Sequence, residues 1–262
     1  MSARPVGVFD SGVGGLSVAR EIRSHLPAEH LLYVADTAWC PYGDRSLEEV
    51  RARTLAIGRW IQDAGAKVLV VACNTASGAA LEQLREVLTI PVIGLEPAVK
   101  PAVAQTKNGR VGVMATAGTL RSDRFARLLA NHAAGVEVVA QACPGLVDMV
   151  EDGLLEGDAL GVTLDTLTRP LRDADVDTVV LGCTHYPFVR EAIAASLGPH
   201  VTLLDSGPAI ARRTERVLDE AGLLETGGDG SIRVLTTATP AEVAPVVQRL
   251  WGAPIPVAHL DV

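Results

Sequence analysis

VLVVACNTA (residues 68–76) and TVVLGCTHY (residues 178–186) are the two stretches that decide the fold of this chain. Each is a short apolar run that ends at a cysteine, Cys73 or Cys183, and continues into small polar residues. Such a run is typical of a buried parallel strand that turns into a helix. In open α/β sheets, the loops that follow the carboxyl ends of the strands carry the chemistry. The two thiols are therefore predicted to occupy equivalent places in two similar units.

The similarity between the two units extends beyond the cysteines. From Asp10 to Cys73 is 63 residues, and from Thr116 to Cys183 is 67. The preceding strands also match in order: VGVFD (6–10) with RVGVMA (110–115), and LLYVA (31–35) with VEVVA (136–140). Unrelated Rossmann-like halves would share the strand spacing but would leave the paired cysteines unexplained. The matched order indicates an internal duplication of long period.

Length and composition fit a duplicated α/β chain. With 262 residues there is enough chain for two domains with adequate cores. We predict two pseudo-symmetric Rossmann-like α/β domains, each with a mainly parallel sheet, and an active site in the cleft between them. The segment from about Pro208 has no counterpart in the second unit, so we expect it to return to the first. The predicted domains are 1–97 with 208–262, and 98–207, joined by a two-stranded hinge at 96–101 and 205–208.

Helical patterns fill the intervals between the predicted strands. The predicted helices cover 16–26, 46–61, 76–88, 98–105, 122–131, 157–171, 187–197, 208–223 and 240–251, and a further strand covers 232–237.

The charge of the chain argues against several classes of partner. A net charge of −8 disfavours nucleic acid or an anionic membrane as the main partner. No apolar run approaches the roughly 20 residues that span a bilayer, and the first residues, MSARP, lack the apolar segment of a signal peptide. Four cysteines without a CxxC motif are typical of a cytosolic enzyme with reduced thiols. We therefore expect a cytoplasmic protein.

Cofactor and metal sites have weak support. The glycine-rich loop at 10–16 is followed by Asp36, where a ribose-binding acid would lie, but Ser17 replaces the third glycine of a dinucleotide fingerprint. Pyridoxal phosphate needs a lysine, and none of the three lysines follows a predicted strand. A zinc site at Cys73, Cys183 and His185 would lack the usual spacing and a fourth ligand. We expect no cofactor and no metal.

Two thiols without a cofactor suit the removal of a weakly acidic proton. A cysteine pKa near 8.5 makes its thiolate a stronger base than imidazole or a carboxylate. Helix N-termini lower thiol pKa values, and their amides bind carboxylates. Cys73 and Cys183 both lie at predicted strand-to-helix turns, whereas Cys40 and Cys143 are interpreted as buried small residues. The paired thiols predict one base on each side of a substrate.

Four motifs resemble the aspartate/glutamate racemase family. They occur in the family's order, from residue 6 to about residue 224, and are VFDSGVGGL (8–16), DTA with PYG (36–43), ACNTAS (72–77) and LGCTHYP (181–187). The resemblance implies cofactor-independent interconversion of L- and D-glutamate, which supplies D-glutamate for peptidoglycan. Ala35 departs from the glycine usual in the family before the Asp-Thr pair.

The resemblance also assigns residues. It implies that Cys183 deprotonates L-glutamate and that Cys73 deprotonates D-glutamate. The residues implied to bind the substrate through hydroxyls, amides and one cation are Asp10, Ser11, Tyr42, Gly43, Asn74, Thr75, Thr184 and His185. Glu151 matches a further family acid less closely. The expected partner is the small-molecule substrate, and a homodimer is compatible with the sequence.

Two alternatives remain open on the sequence alone. An aspartate racemase, or a related two-thiol isomerase, would share the cysteines and differ in the pocket. A non-catalytic two-domain binding protein would keep the cleft and tolerate loss of either thiol. Measuring turnover with glutamate and with aspartate tests the first alternative. Measuring the effect of replacing either cysteine tests the second.

Overall fold

A computed structural model describes residues 4–262 of the chain. Residues 1–3, where the predicted first domain and the MSARP segment begin, lie outside the described residues. The strands are β1 (Val6–Asp10), β2 (Leu31–Ala35), β3 (Val68–Val71), β4 (Val92–Gly94), β5 (Arg110–Ala115), β6 (Glu137–Ala142), β7 (Thr178–Leu181), β8 (Thr202–Leu204), β9 (Ile232–Thr236) and β10 (Val257–His259). The helices are α1 (Leu16–His25), α2 (Leu47–Asp63), α3 (Asn74–Val87), α4 (Val99–Gln105), α5 (Ala117–Leu120), α6 (Asp123–His132), α7 (Leu146–Glu151), α8 (Asp158–Asp173), α9 (Arg190–Leu197), α10 (Gly207–Glu220) and α11 (Pro240–Trp251).

The strands form two parallel sheets. The first has the order β10-β9-β2-β1-β3-β4, and the second has the order β6-β5-β7-β8. All of their pairings are parallel. The order β2-β1-β3-β4 in the first sheet is repeated by β6-β5-β7-β8 in the second. The predicted fold class, two similar α/β units with parallel sheets, is confirmed.

Buried apolar strands covered by helices hold each unit together. Every residue of β1, β2, β3 and β7 is buried. Helix α2 begins at a capping box, in which Ser46 and Glu49 satisfy each other's main-chain N–H groups, as its Ser-Leu-Glu-Glu sequence predicts. Its apolar stripe, which includes Ile57 and Ile61, is buried in the same cluster as Leu69 of β3. The burial of continuous apolar strands on both faces explains why they lack the alternation of half-exposed strands.

The C-terminal segment adds two strands to the first sheet. Strand β9 pairs with β2, β10 pairs with β9, and α10 packs against α1. Sequence patterns did not predict β10, because only three residues pair and two of them are exposed. At the connections between the units, Ser206 Oγ donates a hydrogen bond to the carbonyl of Glu96. We propose, on this pairing, the domain boundaries given above, 1–97 with 208–262 and 98–207.

Several helices differ from the sequence prediction near the strand ends. Helix α3 begins at Asn74, two residues earlier than expected, because Cys73 Sγ caps it by accepting the N–H of Ala76 at 3.4 Å. The helix predicted over 187–197 starts as a 3-10 turn at Tyr186–Val189. The short helices α5 and α7 were not predicted, since four or six residues are too few to show helical periodicity. Within residues 4–262, no helix has both the length and the hydropathy to cross a bilayer.

A buried ion pair anchors the C-terminal segment to the base of the first sheet. Lys67 Nζ lies 2.8 Å from Glu29 Oε2, and the two side chains are 2% and 0% exposed. Glu29 Oε1 accepts the main-chain N–H of Glu225 at 2.9 Å, and Lys67 donates to the carbonyl of Leu223 at 2.7 Å. Lys67 therefore has a structural role at the sheet edge opposite the cysteines.

We predict that Glu29→Gln lowers the free energy of unfolding by up to about 3–5 kcal/mol, because the buried Lys67 ammonium then keeps only the partly exposed carboxylate of Glu225, 3.8 Å away, as a counter-charge. Glu215→Gln is the matched control, since Glu215 pairs with His25 where both side chains are substantially exposed. It should cost less than about 1 kcal/mol. Urea unfolding at pH 7 measures both, and equal losses in the two variants would contradict the role of the buried pair.

Candidate active site

The carboxyl ends of strands from both sheets meet at one pocket. The loops after β1, β3, β5 and β7 all contribute to it, as equivalent strand ends should. Its volume is about 10 Å³, room for roughly one water molecule. The lining residues are Ser11, Pro41, Tyr42, Gly43, Cys73, Asn74, Thr75, Thr116, Thr119, Val147, Gly182, Cys183, Thr184 and His185.

Cys73 lies at the end of β3 and is almost wholly buried. Its Sγ accepts the N–H of Ala76 and lies 3.7 Å from Ser11 Oγ. Burial and the nearby charge of Asp10 raise the pKa of the Cys73 thiol to about 12, although the contacts with Ala76 and Ser11 oppose the shift. Cys73 is therefore protonated at neutral pH in this closed pocket.

Cys183 lies two residues beyond β7 and faces the same pocket. Its Sγ is 3.5 Å from Nδ1 of His185, whose Nε2 lies 2.6 Å from Glu151 Oε1. Burial lowers the pKa of His185. This effect is outweighed by the charge of Cys183 and by hydrogen bonds to Cys183, Cys40 and Glu151, which raise the pKa. The pKa of His185 is thus raised well above its usual range. A charged imidazolium therefore lies beside the sulfur of Cys183.

Glu151 joins the two halves at this point. Its Oε1 also accepts the main-chain N–H of Val13 at 2.7 Å, across 138 residues of sequence. The glycine-rich loop permits this approach: a Cβ on Gly12 would lie 1.9 Å from Glu151 Oε1, and one on Gly14 would lie 2.2 Å from His185 Nδ1. The loop's glycines therefore make room for side chains of the other unit.

Asp10 lies behind the pocket and does not line it. Its carboxylate accepts hydrogen bonds from the N–H of Gly12 and from Thr184 Oγ1, each at 2.9 Å. Complete burial raises the pKa of Asp10 to about 6, even though His185 and these two hydrogen bonds lower it. Ser17 Oγ donates to the carbonyl of Thr184 at 2.8 Å, a further contact between the units. The position of Asp10 suits orientation of Thr184 better than direct contact with a ligand.

The hydroxyl of Tyr42 has a partner within the chain. It donates to Asp36 Oδ2, and Asp36 is also held by Arg53. Tyr42 and Gly43 both line the pocket. A contact between Tyr42 and a ligand stays a prediction.

Two threonines of the second unit were missed at the sequence level. Thr75 Oγ1 lies 2.9 Å from Thr116 Oγ1 and 3.2 Å from Thr119 Oγ1. The three hydroxyls meet across the cleft and line the pocket. Thr116 follows β5 as Ser11 follows β1, so its place in the repeat was the available signal. Thr119 lies on α5, which gave no signal.

One set of potential metal ligands is present in residues 4–262. Atoms of Cys40, Glu151 and His185 lie within 4.8 Å of one another. The trio considered from the sequence, with both pocket cysteines and His185, does not form such a group among the described residues. The three atoms fall one short of a closed tetrahedral zinc site, and Glu151 and His185 already bind each other.

The chain matches the family model of Asp/Glu/hydantoin racemases over residues 7–214. It belongs to that family. Glutamate racemase of Pseudomonas paraeruginosa is 51% identical over 259 residues, 98% of each chain. The crystal structure of a glutamate racemase isoform from Bacillus anthracis superposes with a TM-score of 0.90 at 36% identity, covering 100% of this chain and 99% of that one. A glutamate racemase from Francisella tularensis, solved in complex with D-glutamate, has a TM-score of 0.88 at 29% identity and covers 100% and 98%.

We predict that Asp10→Asn becomes more stable relative to the wild type as the pH rises from 5 to 8. The pKa of Asp10 in the folded protein, about 6, exceeds its usual 3.8. Its contribution is therefore fully present below about pH 4 and is lost as the pH rises through 6, whereas asparagine does not titrate. Thermal unfolding of both proteins at pH 5 and pH 8 measures the difference.

Asp177→Asn is the control. Burial opposes the shift, but hydrogen bonds from Thr106 and from the main chain at residues 107 and 108 lower the pKa of Asp177 to about 2. Asp177 therefore stays ionised from pH 5 to pH 8, and the effect of its replacement should not change over that range. A pH-independent difference for Asp10→Asn would contradict the burial of its charge.

Proposed function

We propose that this protein interconverts L- and D-glutamate without a cofactor, with Cys73 and Cys183 as its two acid/base residues. The observation that carries the proposal is that the two thiols end equivalent strands of the two sheets and line one pocket. The substrate is proposed from relatives named glutamate racemase, which match this chain over nearly its full length.

The surroundings of the two thiols support a division of roles. Cys183 Sγ lies 3.5 Å from Nδ1 of His185, a group that can share its proton, whereas burial and Asp10 raise the pKa of Cys73 and keep that thiol protonated. In the direction from L- to D-glutamate, Cys183 removes the Cα proton and Cys73 delivers its own proton to the opposite face. The pair is left with the reverse protonation, which is the state that D-glutamate requires. The charge of Cys183 is itself one of the causes that raise the pKa of Cys73, so the protonation of one thiol affects the other.

Donors around the pocket suit a dicarboxylate. The start of α3 presents the main-chain N–H groups of Asn74 and Thr75, and the helix dipole favours an anion there. Thr75, Thr116, Thr119 and Thr184 line the pocket from both units, and His185 adds a cation. We propose Ser11, Tyr42 and Gly43 as further contacts, and Asp10 as a residue that positions Thr184.

The wider role rests on the same proposal. D-glutamate is a building block of peptidoglycan, so the protein would act in cell-wall synthesis and in the cytoplasm. A preference for aspartate is the alternative. A shorter substrate would leave buried donors unpaired, each at a cost of roughly 1–3 kcal/mol, which favours glutamate.

We predict that Cys73→Ala and Cys183→Ala each lower kcat for glutamate by at least about a hundredfold, because each removes a positioned acid or base. Cys143→Ala is the control, since Cys143 is a buried thiol that does not line the pocket. Circular dichroism of the reaction measures racemisation with L-glutamate and, separately, L-aspartate. Near-normal rates in a folded Cys73 or Cys183 variant would refute the roles of the thiols, and equal kcat/KM for both substrates would refute the preference for glutamate.

We predict that turnover of L-glutamate in heavy water first yields D-glutamate deuterated at Cα, while the remaining L-glutamate keeps its proton. The reason is that one thiolate takes the substrate proton and a different, solvent-exchanged thiol delivers the new one. Mass spectrometry of the separated enantiomers at low conversion measures the label. A single shared base would label both enantiomers from the start, and that result would exclude the two-base mechanism.

A further inference from the structure

A cysteine, a histidine and a glutamate meet behind the active-site pocket. Cys40, Glu151 and His185 each bring a potential ligand atom, and these atoms lie within 4.8 Å of one another. Of the three residues, only His185 lines the pocket. Its Nδ1 faces Cys183, and its Nε2 faces Glu151. The cluster therefore lies on the side of the imidazole away from Cys183, and the proposed reaction gives the Cys40 thiol no part.

The cluster is assembled from both units. Cys40 belongs to the segment between β2 and α2 of the first unit, whereas Glu151 ends α7 and His185 follows β7 in the second. Gly12 lets them meet, because a Cβ there would lie 2.9 Å from Cys40 Sγ and 1.9 Å from Glu151 Oε1. A group bound by all three side chains would tie the two units together at this point.

Thiolate, imidazole and carboxylate are a donor set for transition metals. Sulfur and nitrogen ligands favour zinc and its neighbours in the first transition row, whereas magnesium and calcium take oxygen ligands. Zinc bonds of about 2.0–2.3 Å fit atoms at this spacing after small shifts of the side-chain ends. Three protein ligands, with a fourth position left to water, make an open zinc site.

The existing hydrogen bonds already orient two of the ligands. His185 Nε2 and Glu151 Oε1 face each other at 2.6 Å, so a cation would take the place of the proton between them. The main-chain N–H of Val13 also holds Glu151, at 2.7 Å. Metal-bound histidines usually donate their other ring N–H to an acceptor, and Cys183 Sγ lies 3.5 Å from Nδ1 of His185. Cys183 would therefore be the outer partner of the metal-bound imidazole.

The cluster has an open side. The side chain of Glu151 is 13% exposed, whereas that of His185 is 2% exposed. Cys40 is also partly exposed. An ion can therefore approach over Cys40 and Glu151, without passing through the active-site pocket.

We propose that Cys40, Glu151 and His185 bind a zinc ion, or a transition metal of the same ligand preference, and that the bound ion inhibits the enzyme. Cys40 binds as the thiolate and releases its proton to solvent. The ion occupies His185 Nε2, separates the imidazole from Glu151 and links the segment before α2 to the second unit. Binding depends on the three side chains alone, whereas the inhibition also rests on the proposed racemisation, which proceeds without this ion.

Cobalt(II) is the probe for the site, because it takes the ligands of zinc and absorbs light. Titration of chelator-treated wild-type protein should produce sulfur-to-cobalt charge-transfer absorbance that saturates at one equivalent. Cys40→Ser should remove this band. Cys143→Ala is the matched control, since Cys143 is a buried thiol outside the cluster, and it should keep the band. Cys183→Ala should keep it too, and zinc but not magnesium should displace the cobalt.

Competition with a chromophoric chelator measures the affinity for zinc. Cys40→Ser should bind zinc at least about tenfold more weakly, because the loss of even an outer partner of a metal site has that effect. Equal affinity in the wild type and Cys40→Ser would overturn the site. A cobalt band that survives in Cys40→Ser and disappears in Cys183→Ala would also overturn it. Far-UV circular dichroism verifies folding, and Cys40→Ala provides the same comparison if Cys40→Ser does not fold.

Racemisation of glutamate with and without zinc tests the inhibition. The ratio of the two rates is compared within each protein, so that any change in the basal rate cancels. At zinc concentrations just above the Kd of the wild type, the ion should slow the wild type and Cys143→Ala but not Cys40→Ser. Equal inhibition of all three proteins would overturn the inhibitory role of this site. A wild type that loses its cobalt band with Cys40 but does not racemise glutamate without metal would refute the proposed function and support the binding site.

Discussion

The parallel pairing of the strands is the constraint on which the rest of this structure depends. Because every strand of a sheet runs in the same direction, the loops after β1 and β3 lie at one edge, and those after β5 and β7 lie at the equivalent edge of the second sheet. Two such edges facing each other bring Cys73 and Cys183 to one pocket. The chemistry of the site follows from this placement.

Duplication makes the two halves similar, but their electrostatic surroundings differ. Cys73 is buried near the carboxylate of Asp10. Cys183 lies beside the imidazole of His185, which is hydrogen-bonded to Glu151. Similar strand ends therefore carry thiols with different charged neighbours. For a reaction that takes a proton from one face of a carbon and adds one to the other, this asymmetry is an advantage, because one thiol must start without its proton.

Several hydrogen bonds join the two units across the cleft. Glu151 binds Val13, Thr184 binds Asp10, and the hydroxyl of Thr75 meets two threonines of the second unit. Most of these groups also line or support the pocket, so the contacts that join the two units also build the site. Apolar side chains of both units share one buried cluster as well, for example Val13 and Leu146.

The sequence by itself determined the duplicated α/β architecture, the two strand-end cysteines and the family, because continuous apolar runs and their spacing are local signals. It did not determine β10, whose three residues carry no pattern until they pair with β9. The cap of Cys73 Sγ on the N–H of Ala76 and the hydrogen bond from the Tyr42 hydroxyl to Asp36 join residues that are close in sequence, but their geometry is set only when the strand ends fold. The contacts of Thr119 with Thr75 and of Glu151 with Val13 join residues far apart in sequence, so tertiary structure decided them. The burial of a side chain and the charge around it depend on groups from several parts of the chain, and only folding brings these parts together.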